Sequence, residues 1–455
     1  MPDMTAQEAV EATLGAATTA ATVVAVEESA TVNYRWAVSM PTTNGDTRER
    51  KVTITAISEV SGGWATGTRS GSIDDWRALL AAAEADARGG SASSEGAELL
   101  PGGVLAGYAA PPAAPPTPEL PSELAAAFGR GDTEVFGYAE QEVATTYVGT
   151  STGARWRSEE GAARFEVSAK ADGRRRSSWH GAAGDTFANV DVAAALADVE
   201  SGLAAQATSI DVPAEPTTVI LTPSAVADLM IVLWWVAVAR DAAEGHSPFS
   251  DPEGPAGTAL GRRLTDRRLT LHSDPAAAGV TCPDRLWTPW SGPSATVFDT
   301  GSPLVPQSWI TDGRLSALAA TRAAAAQFGL PFVASPANLL LHDEDGSGSL
   351  ADVVARTERA LLVTSLWYIR DVDPQAMLVT GLTRDGTYVV EEGRIVGSAG
   401  NFRFNESPLA VLANVVDAGE PVRCLPREWA DYFTRTVMPP LVVRKFGLST
   451  PSTAI

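Results

Sequence analysis

The chain has 455 residues, 45% of them hydrophobic, enough for a large core and, at about 100–200 residues per domain, for two domains. A formal net charge of −21 sets it against nucleic acid, whose phosphates would repel it, and leaves acidity as an aid to solubility. With only Cys282 and Cys424 there is no disulfide framework, and two reduced thiols in a cytoplasmic protein are expected.

The opening MPDMTAQEAVEATL is acidic and amphipathic, lacks a basic start and a long apolar stretch, and does not read as a secretory leader. A first helix is predicted from Met1 to about Ser29. A β-rich block follows, with strands at Ala30–Val38, Lys51–Ile57 and Gly63–Thr68. Their period-two alternation, bounded by Asn44-Gly45 and Ser61-Gly62-Gly63, predicts an antiparallel meander. Ser72 to Trp76 caps a helix that runs to about Arg88 and stops at Gly89-Gly90. The proline-rich segment from Ala109 to Glu123 predicts a stiff surface connection, followed by a helix around Ser122–Phe128. Strands are predicted at Glu142–Val148, Ala154–Ser158 and Ala163–Lys170, with a turn at Asp172-Gly173 and a solvated basic run at Arg174–Arg176. A helix from Asp191 to about Ala204 leads into a joint at Pro213–Pro216.

Thr217–Leu221 then reads as a buried strand, and Thr222-Pro223 as a helix start, since proline at the first helical position has no N–H to waste. A helical pattern extends to Glu244, with Gly245 placed to end it. One stripe carries Val226, Leu229, Met230, Leu233 and Val236, and the opposite face carries Ile231, Trp234, Trp235 and Val238. A helix apolar all round belongs in a core. Its strongly apolar part, Leu229–Ala239, lies between Asp228 and Arg240 and is too short for the roughly 20 residues of a membrane span. Beyond it come Leu269-Thr270-Leu271, a tryptophan loop at Leu286–Trp290, Trp309-Ile310 before a turn at Asp312-Gly313, and a meander over 361–397 with tight turns at Gly386 and Gly393.

Residues at spacings that carry chemistry are sparse in this chain. His180, His246, His272 and His342 stand far apart, with no ligand at helical or loop spacing. His342–Gly348 is acidic and glycine-bearing but lacks the alternation and terminal glutamate of a calcium loop. There is no phosphate loop, no nucleophile elbow, and no visible base beside Cys282.

The order of several weak features is more specific. Gly63–Gly67 before the Trp76 helix, Thr145–Gly153, Val219–Pro223 with Leu229-Met230, Gly245–Phe249, Gly261, Leu269–Leu271 with Asp274-Pro275, Gly386–Ile395, Asn401 and Met438–Val443 together resemble the TldD/PmbA family, also called TldD/TldE. TldD-type members carry H-E-x-x-x-H on the central helix, with a later cysteine completing a zinc site. Here the first ligand slot falls at or near Ile231, the glutamate slot near Val232 and the second ligand slot near Val236. The resemblance therefore implies a PmbA/TldE-like subunit with no cofactor and no catalytic or metal residues of its own. Zinc is then expected in a TldD-like partner of a heterodimeric peptidase acting on unfolded peptides, in the cytoplasm, with no nucleic acid and no membrane. The alternatives are a stand-alone hydrolase, in which the cysteines or the scattered histidines converge, and a peptide-binding scaffold. The implied fold is α+β: an N-terminal domain of mixed sheet and helices over 1–214, with the proline-rich connection at about 109–123, and a β-rich C-terminal domain over 215–455 with the central apolar helix at 223–244. Trp287 and Trp290, in a proline-bounded loop with no period to hide both rings, are the candidate binding residues.

Overall fold

The computed structural model describes residues 4–117 and 133–452. Six long strands, β1 (Ala21–Ala37), β2 (Met40–Val60), β3 (Gly63–Ser72), β4 (Glu134–Thr150), β5 (Arg155–Ala171) and β6 (Arg176–Gly184), form one antiparallel sheet in the order β3-β2-β1-β4-β5-β6. Helices α1 (Ala6–Ala16), α2 (Trp76–Gly89) and α3 (Val192–Ala205) pack on it.

The first helix is shorter than predicted. Thr5 and Glu8 form a reciprocal cap, and the helix ends at Ala16. Residues 21–29 instead begin β1, because the run Thr22–Val26 lies between β2 and β4 and finds its partners there. The turn expected at Asn44-Gly45 also moves: these residues pair within β2, opposite Tyr34 and Asn33, and the chain reverses at Val38-Ser39, with φ of 51° and 57°. The register explains the shift. It sets Val24 opposite Ile54 and Val26 opposite Val52, and a one-residue slip would turn one of those apolar sets to solvent. The two strands expected at 154–158 and 163–170 are one continuous strand, β5. The helix expected around Ser122–Phe128 lies outside the described residues.

The rest of the chain is β-rich, and the architecture is a two-domain α+β arrangement. One sheet contains β8 (Leu269–Ser273), β9 (Gln307–Thr311), β10 (Arg314–Leu315), β11 (Leu339–Asp343), β19 (Val422–Cys424) and β20 (Thr436–Met438), ordered β10-β9-β8-β11-β20-β19. A second contains β7 (Thr217–Leu221), β12 (Arg359–Val363), β15 (Thr387–Glu391), β16 (Arg394–Ser398), β18 (Val415–Ala418) and β21 (Leu441–Phe446), ordered β16-β15-β12-β7-β21-β18. The third is β13 (Leu366–Asp373), β14 (Leu378–Thr383), β17 (Asn401–Glu406) and β22 (Leu448–Ser452). The meander predicted over 361–397 is thus shared between two sheets: β13 and β14 leave the sheet of β12 and β15 to pair with β17.

The central helix sits where these sheets meet. Helix α4 (Pro223–Val236) is buried at every residue from Ser224 to Leu233. Its core cluster draws Leu269, Leu271 and Trp309 from one sheet, Val219, Leu361 and Val443 from the second, and Phe402 and Phe404 from the third. Apolar side chains all round the helix are satisfied because apolar sheet faces surround it. The helix does not continue to Glu244 as expected. It stops at Val236, and a short helix α5 (Ala239–Ala243) follows. Between them the Ala237 carbonyl accepts from the Ala319 N–H, and the Ala319 carbonyl accepts from the Ala239 N–H, both at 2.8 Å. A tertiary pairing therefore replaces helical hydrogen bonds at this point. Gly245, at φ 81°, ends α5.

Candidate functional site

Position and chemistry both direct attention to α4. Thr222 starts it: its hydroxyl oxygen accepts from the Ala225 N–H at 3.4 Å and its proton goes to the Thr364 carbonyl at 2.6 Å. Pro223 occupies the first turn, as the sequence predicts. Ile231 and Val232 are buried, and Val236 is half-buried against the same core. These are the positions at or near which the resemblance sets the two histidines and the glutamate of the metal motif, and all three present hydrocarbon.

One polar group interrupts that hydrocarbon. Asp228, a turn before Ile231, is fully buried, and burial holds its carboxyl well above the ordinary carboxylate range, although the Glu428 N–H donates to Oδ1 at 3.0 Å. Its Oδ2 has no hydrogen-bond partner. Its main-chain carbonyl accepts from the Trp429 indole at 2.9 Å. Asp228 thereby ties α4 to the segment 425–435. That segment is held further by the Ser224 hydroxyl on the Leu425 carbonyl, at 2.7 Å, and by a buried pair of Arg427 with Asp385. Burial raises the Asp385 carboxyl, but the adjacent Arg427 and the donating Ser177 hydroxyl outweigh it, and the net effect is downward. In the sequence Asp228 reads only as one boundary of an apolar run. A lone carboxylate in an all-round apolar helix was the available signal.

The segment also builds an aromatic surface at the end of α4. Trp235 meets Trp429 edge to face at 4.9 Å, and Trp234 meets Phe433 at 5.2 Å. Trp235 and Tyr432 are exposed. The two tryptophans singled out in the sequence part company. Trp287 is half-buried against a cluster of the long antiparallel sheet that includes Val23, Ile57 and Trp156, whereas Trp290 is 63% exposed. The Thr68 hydroxyl donates to the Pro289 carbonyl at 2.9 Å and pins the loop between them to β3.

Of the residues a stand-alone hydrolase would draw on, His180 and Cys424 line one cavity, with an Asp198 carboxylate oxygen 2.9 Å from His180 Nδ1. His272 and His342, on neighbouring strands β8 and β11, bring their rings to 5.7 Å, and burial followed by the second imidazole lowers the pKa of His272. Neither is hydrogen-bonded to a cysteine among the described residues. Burial pushes the Cys282 thiol up to about 11 and the Cys424 thiol up to about 12, away from the thiolate that a nucleophile or metal ligand requires. In the acidic loop after β11, Asp343 pairs with Arg267 and Asp345 with Arg268, each at 2.6 Å, so two of its carboxylates are committed to arginines.

A zinc site needs imidazole, thiolate or carboxylate donors converging on one point. Ile231, Val232 and Val236 provide none, and among the described residues no three His, Cys, Asp or Glu side chains come together to hold a metal. The donor set does not fit the zinc of an H-E-x-x-x-H site. Among the described residues, no helix is long and apolar enough to cross a membrane.

Comparison with known proteins places this geometry in context. A family model described as the PmbA/TldA metallopeptidase C-terminal domain matches residues 214–450. TldE from Thermococcus kodakarensis is similar in fold, with a TM-score of 0.74 at 14% identity, covering 95% of this chain and 97% of that one. A candidate modulator of a DNA gyrase from Thermotoga maritima gives 0.72 at 15% identity, covering 94% and 96%. Another, from Bacteroides thetaiotaomicron, gives 0.74 at 13% identity, covering 98% of each chain. No curated protein matches in sequence.

Proposed function

This chain belongs to the PmbA/TldD metallopeptidase family, and from that membership we infer that it serves as the metal-free subunit of a heterodimeric peptidase whose zinc is held by a TldD-like partner. The observation that carries the reading is the hydrocarbon at Ile231, Val232 and Val236, within a family fold that is otherwise intact. Its role is to complete the chamber in which an unfolded peptide is handled, and the partner supplies the general base and the Lewis acid. The exposed aromatic surface around Trp235 and Tyr432, and separately the exposed ring of Trp290, supports a partner- or peptide-facing role for these residues. Two free cysteines suit the reducing cytoplasm.

Co-expression with an H-E-x-x-x-H relative from the same genome tests the reading. A stable complex on size analysis, peptidase activity only with both chains, and no stoichiometric zinc in the isolated chain are expected. One tightly bound zinc per isolated chain, or peptide cleavage by this chain alone, would overturn it.

A further inference from the structure

Strand β2 is longer than its neighbour β3, and part of it is left as a free edge. β3 pairs with β2 only as far as Ser72 opposite Lys51, so residues 40–50 of β2 pair on one side alone, with β1. The direction of each main-chain group on that stretch follows from its neighbours. Trp64 of β3 bonds away from β2, its carbonyl accepting from the Ser93 N–H at 2.8 Å. Alternation then turns the odd-numbered residues 65, 67, 69 and 71 of β3 toward β2, where their register partners are 58, 56, 54 and 52. The even-numbered residues of β2 therefore point their N–H and C=O outward, and on the free stretch these include Asn44, Asp46, Arg48 and Arg50. No described residue bonds to those groups.

The charged side chains of this edge differ in what holds them. Arg50 is tied back into its own chain, pairing with Glu28 at 2.9 Å and donating to the Met4 carbonyl at 2.6 Å. Asp46 and Arg48 are exposed, and no described residue forms an ion pair with either. They stand two residues apart and so share one face of β2. Charge on a free edge usually repels other strands. Opposite charges at this spacing favour one partner instead, a second copy of the same edge. Two copies related by a two-fold axis pair antiparallel, and outward residues must face outward residues. An axis at Asp46 would set that carboxylate against its own copy, and an axis at Arg48 would do the same for the guanidinium. Like charges directly opposite destabilise a strand pair. An axis at Thr47 sets Asp46 of each copy opposite Arg48 of the other, with Arg50 facing Asn44 and Glu49 facing Gly45.

We propose that the β2 edge from Asn44 to Arg50 is a self-association surface, which joins two copies of this chain into one continuous antiparallel sheet with Asp46 of each against Arg48 of the other. β3 begins at Lys51 and limits the pairing to that stretch. So short a pairing, held by main-chain hydrogen bonds and two exposed ion pairs, makes a weak and salt-sensitive dimer. This surface is separate from the subunit reading, which concerns a TldD-like chain, and each can fail without the other.

Sedimentation equilibrium of the full-length chain at low salt should show a monomer–dimer equilibrium that moves toward monomer as salt is raised. Asp46→Arg sets arginine against arginine and Arg48→Asp sets aspartate against aspartate, and each alone should weaken the dimer about tenfold. An equimolar mixture of the two variants should restore it, because residue 46 of either chain then meets the opposite charge at residue 48 of the other. Glu49→Arg changes the net charge as much as Asp46→Arg but faces glycine, and should leave association nearly unchanged. Independently, Thr47→Cys puts a thiol on the axis and should cross-link to its own copy on mild oxidation, whereas Thr43→Cys, away from the axis, should not. A chain that stays monomeric at every concentration, a mixture no more associated than its components, or equal weakening by Glu49→Arg would overturn the surface. The cross-linking pair decides the register even if a charge variant fails to fold.

Discussion

Asp228 shows how much one buried side chain can reveal. Its folded-state pKa is raised, chiefly by burial, so its contribution to stability is fully present below the ordinary value of 3.8 and is lost as pH rises through the folded value. Asp228→Asn keeps an oxygen to accept from the Glu428 N–H and cannot ionise. The variant should gain stability relative to the parent as pH rises from about 5 to 8, and urea midpoints for the two proteins across that range would show it. Parallel pH profiles would mean that Asp228 is protonated to the same extent folded and unfolded over that range, and would overturn the raised pKa. Trp287 and Trp290 make the complementary case on the surface. Trp290→Ala should leave the fold unchanged and weaken association with a TldD-like partner by about 2 kcal/mol if the ring lies in that interface. Trp287→Ala should lower stability by about 2 kcal/mol, short of the cost of a fully buried tryptophan, because its ring is half-buried against Val23, Ile57 and Trp156. A folded Trp290 variant with unaltered partner affinity would remove it from the interface.

Among the elements, the central helix is where local pattern and tertiary demand diverge. Its start was legible: Thr222 and Pro223 are a cap and a first-turn proline, and both act as such. Its end was not, because no residue near Val236 is a helix breaker. The break is made by Ala319, more than 80 residues away in sequence, whose N–H and C=O both bond the segment between α4 and α5. Ala319→Pro removes the donor to the buried Ala237 carbonyl and should cost at least about 1–3 kcal/mol, measurable as a lowered urea midpoint. No loss would show that the break is set locally.

Across the whole molecule, buried ionic contacts fasten the two halves. Glu95, in the segment after α2, is buried and accepts from Arg240 of α5 and from the Thr321 hydroxyl. Arg240 also bonds Gln327 at 2.9 Å. Ser177 of β6 reaches the Asp385–Arg427 pair, whose guanidinium lies 4.8 Å from the Trp179 ring centroid. Such pairs contribute little net stability when intact, but losing one partner strands a buried charge. Glu95→Ala should therefore cost about 3 kcal/mol, with one calorimetric transition in the parent and a lower or divided one in the variant. An unchanged transition would mean that this tie does not couple the halves.

The amino-acid order alone determined the α+β class, the burial of the helix after Pro223, the helix that starts at Trp76 and the family. Each rests on short-range signals such as period-two alternation, all-round apolarity and caps, or on the order of small motifs along the chain. The hydrocarbon at Ile231, Val232 and Val236 was equally legible, because a missing donor needs no coordinates to be seen. Only the tertiary structure decided where β1 begins, how the strands over 361–397 divide between two sheets, which tryptophan faces water, and that part of β2 is left as a free edge. Those outcomes depend on register and on contacts between residues far apart in the chain, where the free energy lies in pairing surfaces rather than in the preference of any one segment.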